Sequence, residues 1–160
     1  MKSQTRHVKK LNRRRVLICM IVFFALLPVF SYFHEAGPAL VCIADGNEAE
    51  ISVDIINGGT TLCHGDHVSN LFAYKISGGL FAGIIGITTG LALFRWKIPF
   101  IAVTPIGAGH LINAVIEAFS DSYFTHGNEW SAILGFIEVV IFLSLLIIFD
   151  RKMVKRNDVL

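Results

Sequence analysis

Two adjacent ionisable residues, His34 and Glu35, stand near the end of the first long apolar run of the sequence. Ionisable side chains at such positions are costly in a membrane and are functional candidates by default. The residues that follow make this a metal-binding H-E-x-x-H motif in which Pro38 replaces the last histidine. The pair therefore indicates a metal-binding site that lacks one of its usual ligands.

Further titratable residues fall in the second half of the chain and between the first two apolar runs. His110, Asn113 and Glu117 are spaced i, i+3 and i+7, which places them on one face of a helix. At 1.5 Å per residue, His110 lies about 10 Å from Glu117 along that helix. The other candidates are His64, His67 and Asp121.

Two of the cysteines, Cys42 and Cys63, flank a polar segment between the first two apolar runs. They are candidates for a disulfide bond, because we predict that both lie on the outer side of the membrane, outside the reducing cytosol. The alternative is a thiolate metal ligand from Cys63, next to His64 and His67. We favour the disulfide, and we expect Cys19 to serve in packing.

The composition indicates an integral membrane protein. Of the 160 residues, 54% are hydrophobic and only 16% are charged, whereas soluble domains are about 25% charged. Apolar runs of about 18 residues or more are typical of membrane spans. We predict an all-α integral membrane fold of four transmembrane helices in a single domain over 1–160, with spans at about 16–41, 71–94, 98–119 and 130–149.

The distribution of charge predicts the orientation. The basic tails 1–15 and 150–160 and the 95–97 turn hold 13 of the 14 Lys and Arg residues. By the positive-inside rule, both termini are cytoplasmic and the protein is multi-pass. A basic flank before a span is typical of a lipid-headgroup anchor, so we expect the bilayer and not nucleic acid as partner. A cleaved signal peptide is the alternative for the first run, and its length favours a retained span.

The outer segment 44–70 contains acidic residues and no Lys or Arg. Residues 51–55 alternate apolar and polar, which predicts a strand, and 57–60 predict a turn before a returning strand at 61–63. We therefore expect a small β-hairpin between helices one and two. In helix two, glycines recur at spacings of three and four, a pattern that lets another helix approach closely. Pro38 and Pro105 predict breaks in the first and third helices.

Residues 30–135 resemble the site-2-protease-like family of membrane zinc metallopeptidases. That family carries HExGHxL late in a transmembrane helix, then a glycine, a short hairpin with a GG-T element, a glycine-rich span and a zinc-binding aspartate. The matching stretches here are His34-Glu35-Ala36-Gly37, Leu40, Gly46, 51–55, Gly58-Gly59-Thr60, 77–83, 110–113 and Ser120-Asp121.

The resemblance implies zinc as cofactor, with His34 and Asp121 as ligands and Glu35 as the general base that activates a zinc-bound water. Pro38 departs from the family because proline has no ligating side chain. A catalytic zinc ion usually has three protein ligands, so a substitute is needed. The candidates are His110, His64 and His67.

Three functions follow from these patterns. The first is a site-2-type peptidase-like protein that cleaves membrane-associated peptides or proteins, with a rearranged or degenerate metal site. The second is a non-catalytic membrane scaffold or binding protein with a structural metal or none. The third is a metal or proton transporter using Glu117, Glu138 and His110, which would have to form a homo-oligomer to enclose a path.

Overall fold

The computed structural model describes residues 12–54, 58–65, 68–120 and 127–157. Four helices span Arg13–Ala44 (α1), Leu71–Ala92 (α2), Lys97–Phe119 (α3) and Gly127–Asn157 (α4). The strands Glu48–Asp54 (β1) and Gly58–His64 (β2) pair antiparallel between α1 and α2. Each helix contains a stretch long and apolar enough to cross a membrane. The predicted fold, four transmembrane helices with a hairpin between the first two, is confirmed.

Asparagine side chains set where the first two helices begin. The Asn12 side-chain oxygen accepts a hydrogen bond from the Arg15 amide at 3.3 Å, and that of Asn70 accepts one from the Ala73 amide at 2.9 Å. Such caps satisfy amide groups that have no partner in the first turn of a helix. Because of this cap, α1 begins at Arg13, before the apolar run itself begins.

The predicted breaks at Pro38 and Pro105 are wrong, because α1 and α3 run through both residues. Proline has no amide hydrogen, so Pro38 deprives the His34 carbonyl of its usual helical donor. That carbonyl faces Gly78 of α2, where an added Cβ would lie 2.9 Å from the carbonyl oxygen. Membrane helices tolerate proline where neighbouring helices and other groups surround the backbone that it frees.

The glycines of α2 allow the close helix packing that their spacing predicts. A Cβ added at Gly79 would lie 2.5 Å from the main chain of α3 at His110, and one at Gly86 would lie 2.5 Å from Gly107 Cα. The backbones of α2 and α3 are therefore in direct contact. Gly78 faces α1 instead, so the same run of glycines admits two different neighbours.

The hairpin begins its second strand earlier than predicted. Gly58 and Gly59 pair with Asp54 and Val53, so both belong to β2, and the predicted turn at 57–60 is wrong. Residues 55–57, which connect the strands, lie outside the described residues. Burial alternates along both strands, and the inward face of the hairpin packs on α1 at the end of the bundle where α1 ends and α2 begins. We call this the hairpin end.

Apolar side chains from α1, α3 and α4 fill the centre of the bundle. Phe23, Ile101 and Ile106 are fully buried there, and Phe142 packs against Phe23 with ring centroids 4.6 Å apart. Large apolar side chains also cover much of the outside of the helices, as expected of surfaces that face lipid. The polar residues described next are therefore exceptions in an apolar protein.

Candidate functional site

His34 of α1 and Glu117 of α3 meet at the hairpin end of the bundle. The His34 Nε2 atom lies 3.3 Å from Glu117 Oε1, and the two side chains are only 14% and 7% exposed. Gly78 of α2 makes room for the imidazole, since a Cβ there would lie 2.9 Å from Nε2. Three helices thus cooperate to place one histidine against one carboxylate.

The predicted face of α3 supplies the surroundings of this pair. Asn113 Nδ2 donates a hydrogen bond of 3.1 Å to Glu117 Oε1, and both residues are 6% exposed. One turn further along the same face, the His110 ring packs between two rings of α1. Its centroid lies 5.3 Å from that of His34 and 6.1 Å from that of Phe30. The helical spacing therefore brings all three residues to His34.

The Glu35 side chain bonds to the hairpin, and it remains within electrostatic range of His34 and Glu117. Thr61 Oγ1 of β2 lies 2.8 Å from the Glu35 main-chain oxygen and 2.7 Å from its Oε2 atom. Gly59 lies under the same side chain, and a Cβ there would collide with Glu35 Cγ. Adjacent residues of a helix point about 100° apart, so His34 and Glu35 engage different elements.

Two buried polar atoms of the site have no hydrogen-bond partner among the described residues. They are Nδ1 of His34 and Oδ1 of Asn113. Leaving such an atom unpaired costs about 1–3 kcal/mol. In apolar surroundings a water molecule or a ligand would form hydrogen bonds with these two atoms.

The donor atoms fit part of a zinc site. Two ligands that hold a tetrahedral zinc ion at about 2.0–2.1 Å lie about 3.3–3.4 Å apart, which is the separation of His34 Nε2 and Glu117 Oε1. As the side chains lie, the described part of the chain contains no group of three or more His, Cys, Asp or Glu that would hold a metal ion. His110 has the right chemistry beside the pair, and Asp121 follows α3 outside the described residues.

Other predicted site residues lie elsewhere. The His64 side chain is 57% exposed on the outward face of β2, 3.5 Å from Glu50, so His64 does not join His34. Cys42 and Cys63 form a disulfide with Cα atoms 5.8 Å apart, which rules out the thiolate alternative. His67 lies outside the described residues.

The sequence placed Asn113 and Glu117 on the right helix face, but neither was predicted as a metal ligand, and Glu117 was given a role only in the transporter alternative. The pattern that could have identified them as site residues is that they share one helix face with His110. Thr61 and Gly59 were also missed, because the contact of a strand with Glu35 is not visible in local spacing.

No protein-family model, curated protein or solved structure matches this chain. The function must therefore be argued from the chain's own residues and their arrangement.

Proposed function

We propose that this chain is a membrane-embedded hydrolase of the metallopeptidase type that acts on membrane-associated peptides. The observation that carries the proposal is the meeting of His34 and Glu117, with Nε2 and Oε1 3.3 Å apart inside an apolar helix bundle. Buried ionisable residues in membrane helices are expensive and serve function by default. The resemblance of the His34-Glu35 motif to site-2-type peptidases supports the same chemistry.

In this proposal His34 and Glu117 hold the metal, and His110 or Asp121 completes the set. Bound there, a zinc ion would supply a Lewis acid and would lower the pKa of water. Glu35 would serve as the general base and would hold a proton for the leaving amine. Asn113 orients Glu117 through its 3.1 Å hydrogen bond, as a neighbour of a metal ligand commonly does.

The substrate class follows from where the site lies. Glu35 and Glu117 sit where α1 ends and α2 begins, with the acidic hairpin beside them. With both termini cytoplasmic by the positive-inside rule, this end faces outward. Peptides at the outer membrane surface are then the substrates that can reach Glu35.

Purified protein in lipid nanodiscs tests the proposal. We expect about one zinc ion per chain in the wild type, loss of zinc in His34→Ala, and retention in His64→Ala, which changes an exposed histidine. With a library of membrane-associated peptides added at the outer surface and mass-spectrometric detection, Glu35→Gln should lower cleavage by about 100-fold or more. A wild type with neither zinc nor cleavage would refute the proposal.

A second candidate is a non-catalytic membrane scaffold or binding protein. The observation in its favour is that the described side chains, as they lie, form no three-ligand metal group. For such a protein, cellular phenotypes would be unchanged by Glu35→Gln, while substitutions on the hairpin surface would alter them.

A further inference from the structure

The inward face of β2 is built around Glu35. Alternate residues of the strand, Gly59, Thr61 and Cys63, are half-buried, while the residues between them are exposed. Each inward residue contacts α1: Gly59 and Thr61 at Glu35, and Cys63 at Cys42. Along this face of β2, Gly59 offers only its main chain, Thr61 offers a hydroxyl group, and Cys63 forms a disulfide bond with α1.

The Thr61 hydroxyl has two acceptors but one proton. It lies 2.8 Å from the main-chain oxygen of Glu35 and 2.7 Å from Oε2. A hydroxyl group donates one hydrogen bond, and here both acceptors within its reach belong to Glu35. Thr61 therefore fixes the Glu35 carboxyl group against the α1 backbone from which it projects.

Gly59 packs closely against the rest of the Glu35 side chain. A Cβ at Gly59 would lie 2.8 Å from Glu35 Oε1 and would collide with Cγ. The Glu35 carboxyl group is thus fixed between the Thr61 hydroxyl at Oε2 and the main chain of Gly59.

Two links fix the strand to the helices. The Cys42–Cys63 disulfide joins β2 to α1 two residues beyond Thr61. Further along, the Ser69 amide donates to Asp45 Oδ2 at 2.8 Å, and the Ser69 hydroxyl donates to Oδ1 of the same carboxylate. The chain between β2 and α2 is therefore tied to the end of α1 at two points, Cys63 and Ser69.

We propose that Thr61 is the positioning residue of Glu35, holding its carboxyl group through Oε2 from a strand that the disulfide anchors. This inference rests on the proposed hydrolase function for its kinetic consequence. Its structural consequence does not depend on that function: the Thr61 hydroxyl group sets the position of the Glu35 side chain. Thr61 acts through Glu35 and does not touch substrate.

Three substitutions on one strand test the inference. Thr61→Val removes the hydroxyl at nearly constant shape, Thr61→Ser keeps it, and Thr60→Val makes the same change on the exposed face of β2. Each protein is reconstituted in nanodiscs with the disulfide intact. Two readouts follow: kcat and KM on the cleaved peptide, and labelling of Glu35 by dicyclohexylcarbodiimide, located by mass spectrometry with Glu138 as internal reference.

We expect Thr61→Val to lower kcat by about 10-fold or more with little change in KM, since a misplaced general base affects the chemical step. Labelling of Glu35 relative to Glu138 should rise about threefold or more, because a side chain released from one hydrogen bond reaches the reagent more often. Thr61→Ser and Thr60→Val should both behave as the wild type.

Two results would overturn the inference. One is unchanged labelling and kcat in Thr61→Val; the other is an equal effect of Thr60→Val, which would make strand packing the cause. If no protein cleaves peptide and labelling still depends on the hydroxyl, the hydrolase proposal fails and the positioning of Glu35 by Thr61 stands.

Discussion

His34 Nε2 on α1 lies 3.3 Å from Glu117 Oε1 on α3, although the two residues are 83 positions apart in the chain. The contact depends on Gly78 of α2, which leaves space for the imidazole. This pair joins the first and third helices through a buried polar contact at the hairpin end of the bundle. Its energetic coupling can be measured directly.

A double-mutant cycle with His34→Ala and Glu117→Ala should give a coupling free energy of about 1–3 kcal/mol. Each single change leaves a buried polar partner behind, and the double change removes both. The exposed pair of His64 and Glu50, with atoms 3.5 Å apart, is the matched control and should show no measurable coupling. Unfolding in mixed detergent micelles provides the free energies. Additive effects at His34 and Glu117 would contradict the assignment.

Gly37→Ala should destabilise the protein by about 1–3 kcal/mol. The new methyl group would collide with the main-chain oxygen of Ser77 on α2, and backbone cannot move aside as a flexible side chain does. Gly135→Ala in α4 is the control, because nothing lies within 4 Å of a Cβ there; its helix should be stabilised slightly. Equal unfolding free energies for the two variants would argue against the close contact of α1 with α2.

Reduction of the Cys42–Cys63 disulfide should lower the unfolding free energy by about 3 kcal/mol, given its separation of 21 residues. Thermal unfolding with and without dithiothreitol measures the difference. The double variant Cys42→Ser/Cys63→Ser should already have the lower unfolding free energy, and dithiothreitol should not change it further. Cys19→Ala, at the buried cysteine outside the disulfide, should keep the full response.

Orientation can be tested in intact cells with a membrane-impermeant maleimide, in a Cys19→Ala background. Thr60→Cys, on the exposed face of β2, should react without permeabilisation. Ser3→Cys, in the basic tail, should react only afterwards, because the positive-inside rule places that tail in the cytoplasm. The reverse pattern would move the site to the cytoplasmic side and change the proposed substrate class.

The fold was largely predictable because membrane spans are encoded locally, in the length of apolar runs. Where prediction failed, tertiary contact overrode a local preference. Proline disfavours the helix interior, yet α1 continues past Pro38, and the carbonyl that it leaves without a helical donor packs against Gly78 of α2. Gly58 and Gly59 are typical of turns, yet Gly59 lies within β2 to make room for Glu35.

The site was predictable only in its parts. Spacing placed His110, Asn113 and Glu117 on one helix face, and the structure brings that face to His34. Which α3 side chain reaches His34 depends on how two helices cross, and sequence spacing carries no such information. The partnership of Thr61 with Glu35 joins residues 26 positions apart across a strand and a helix, and no local pattern reports it.

The glycines of α2 also set a limit on the length of that helix. Because α3 touches its backbone at Gly79, Gly83, Gly86 and Gly90, one deleted residue would rotate every later glycine by about 100°. Bulky neighbours such as Leu80 and Ile84, which are exposed now, would then turn toward α3. Insertions and deletions should therefore be excluded from α2, and length variation among any descendants of this chain should be confined to its loops and tails.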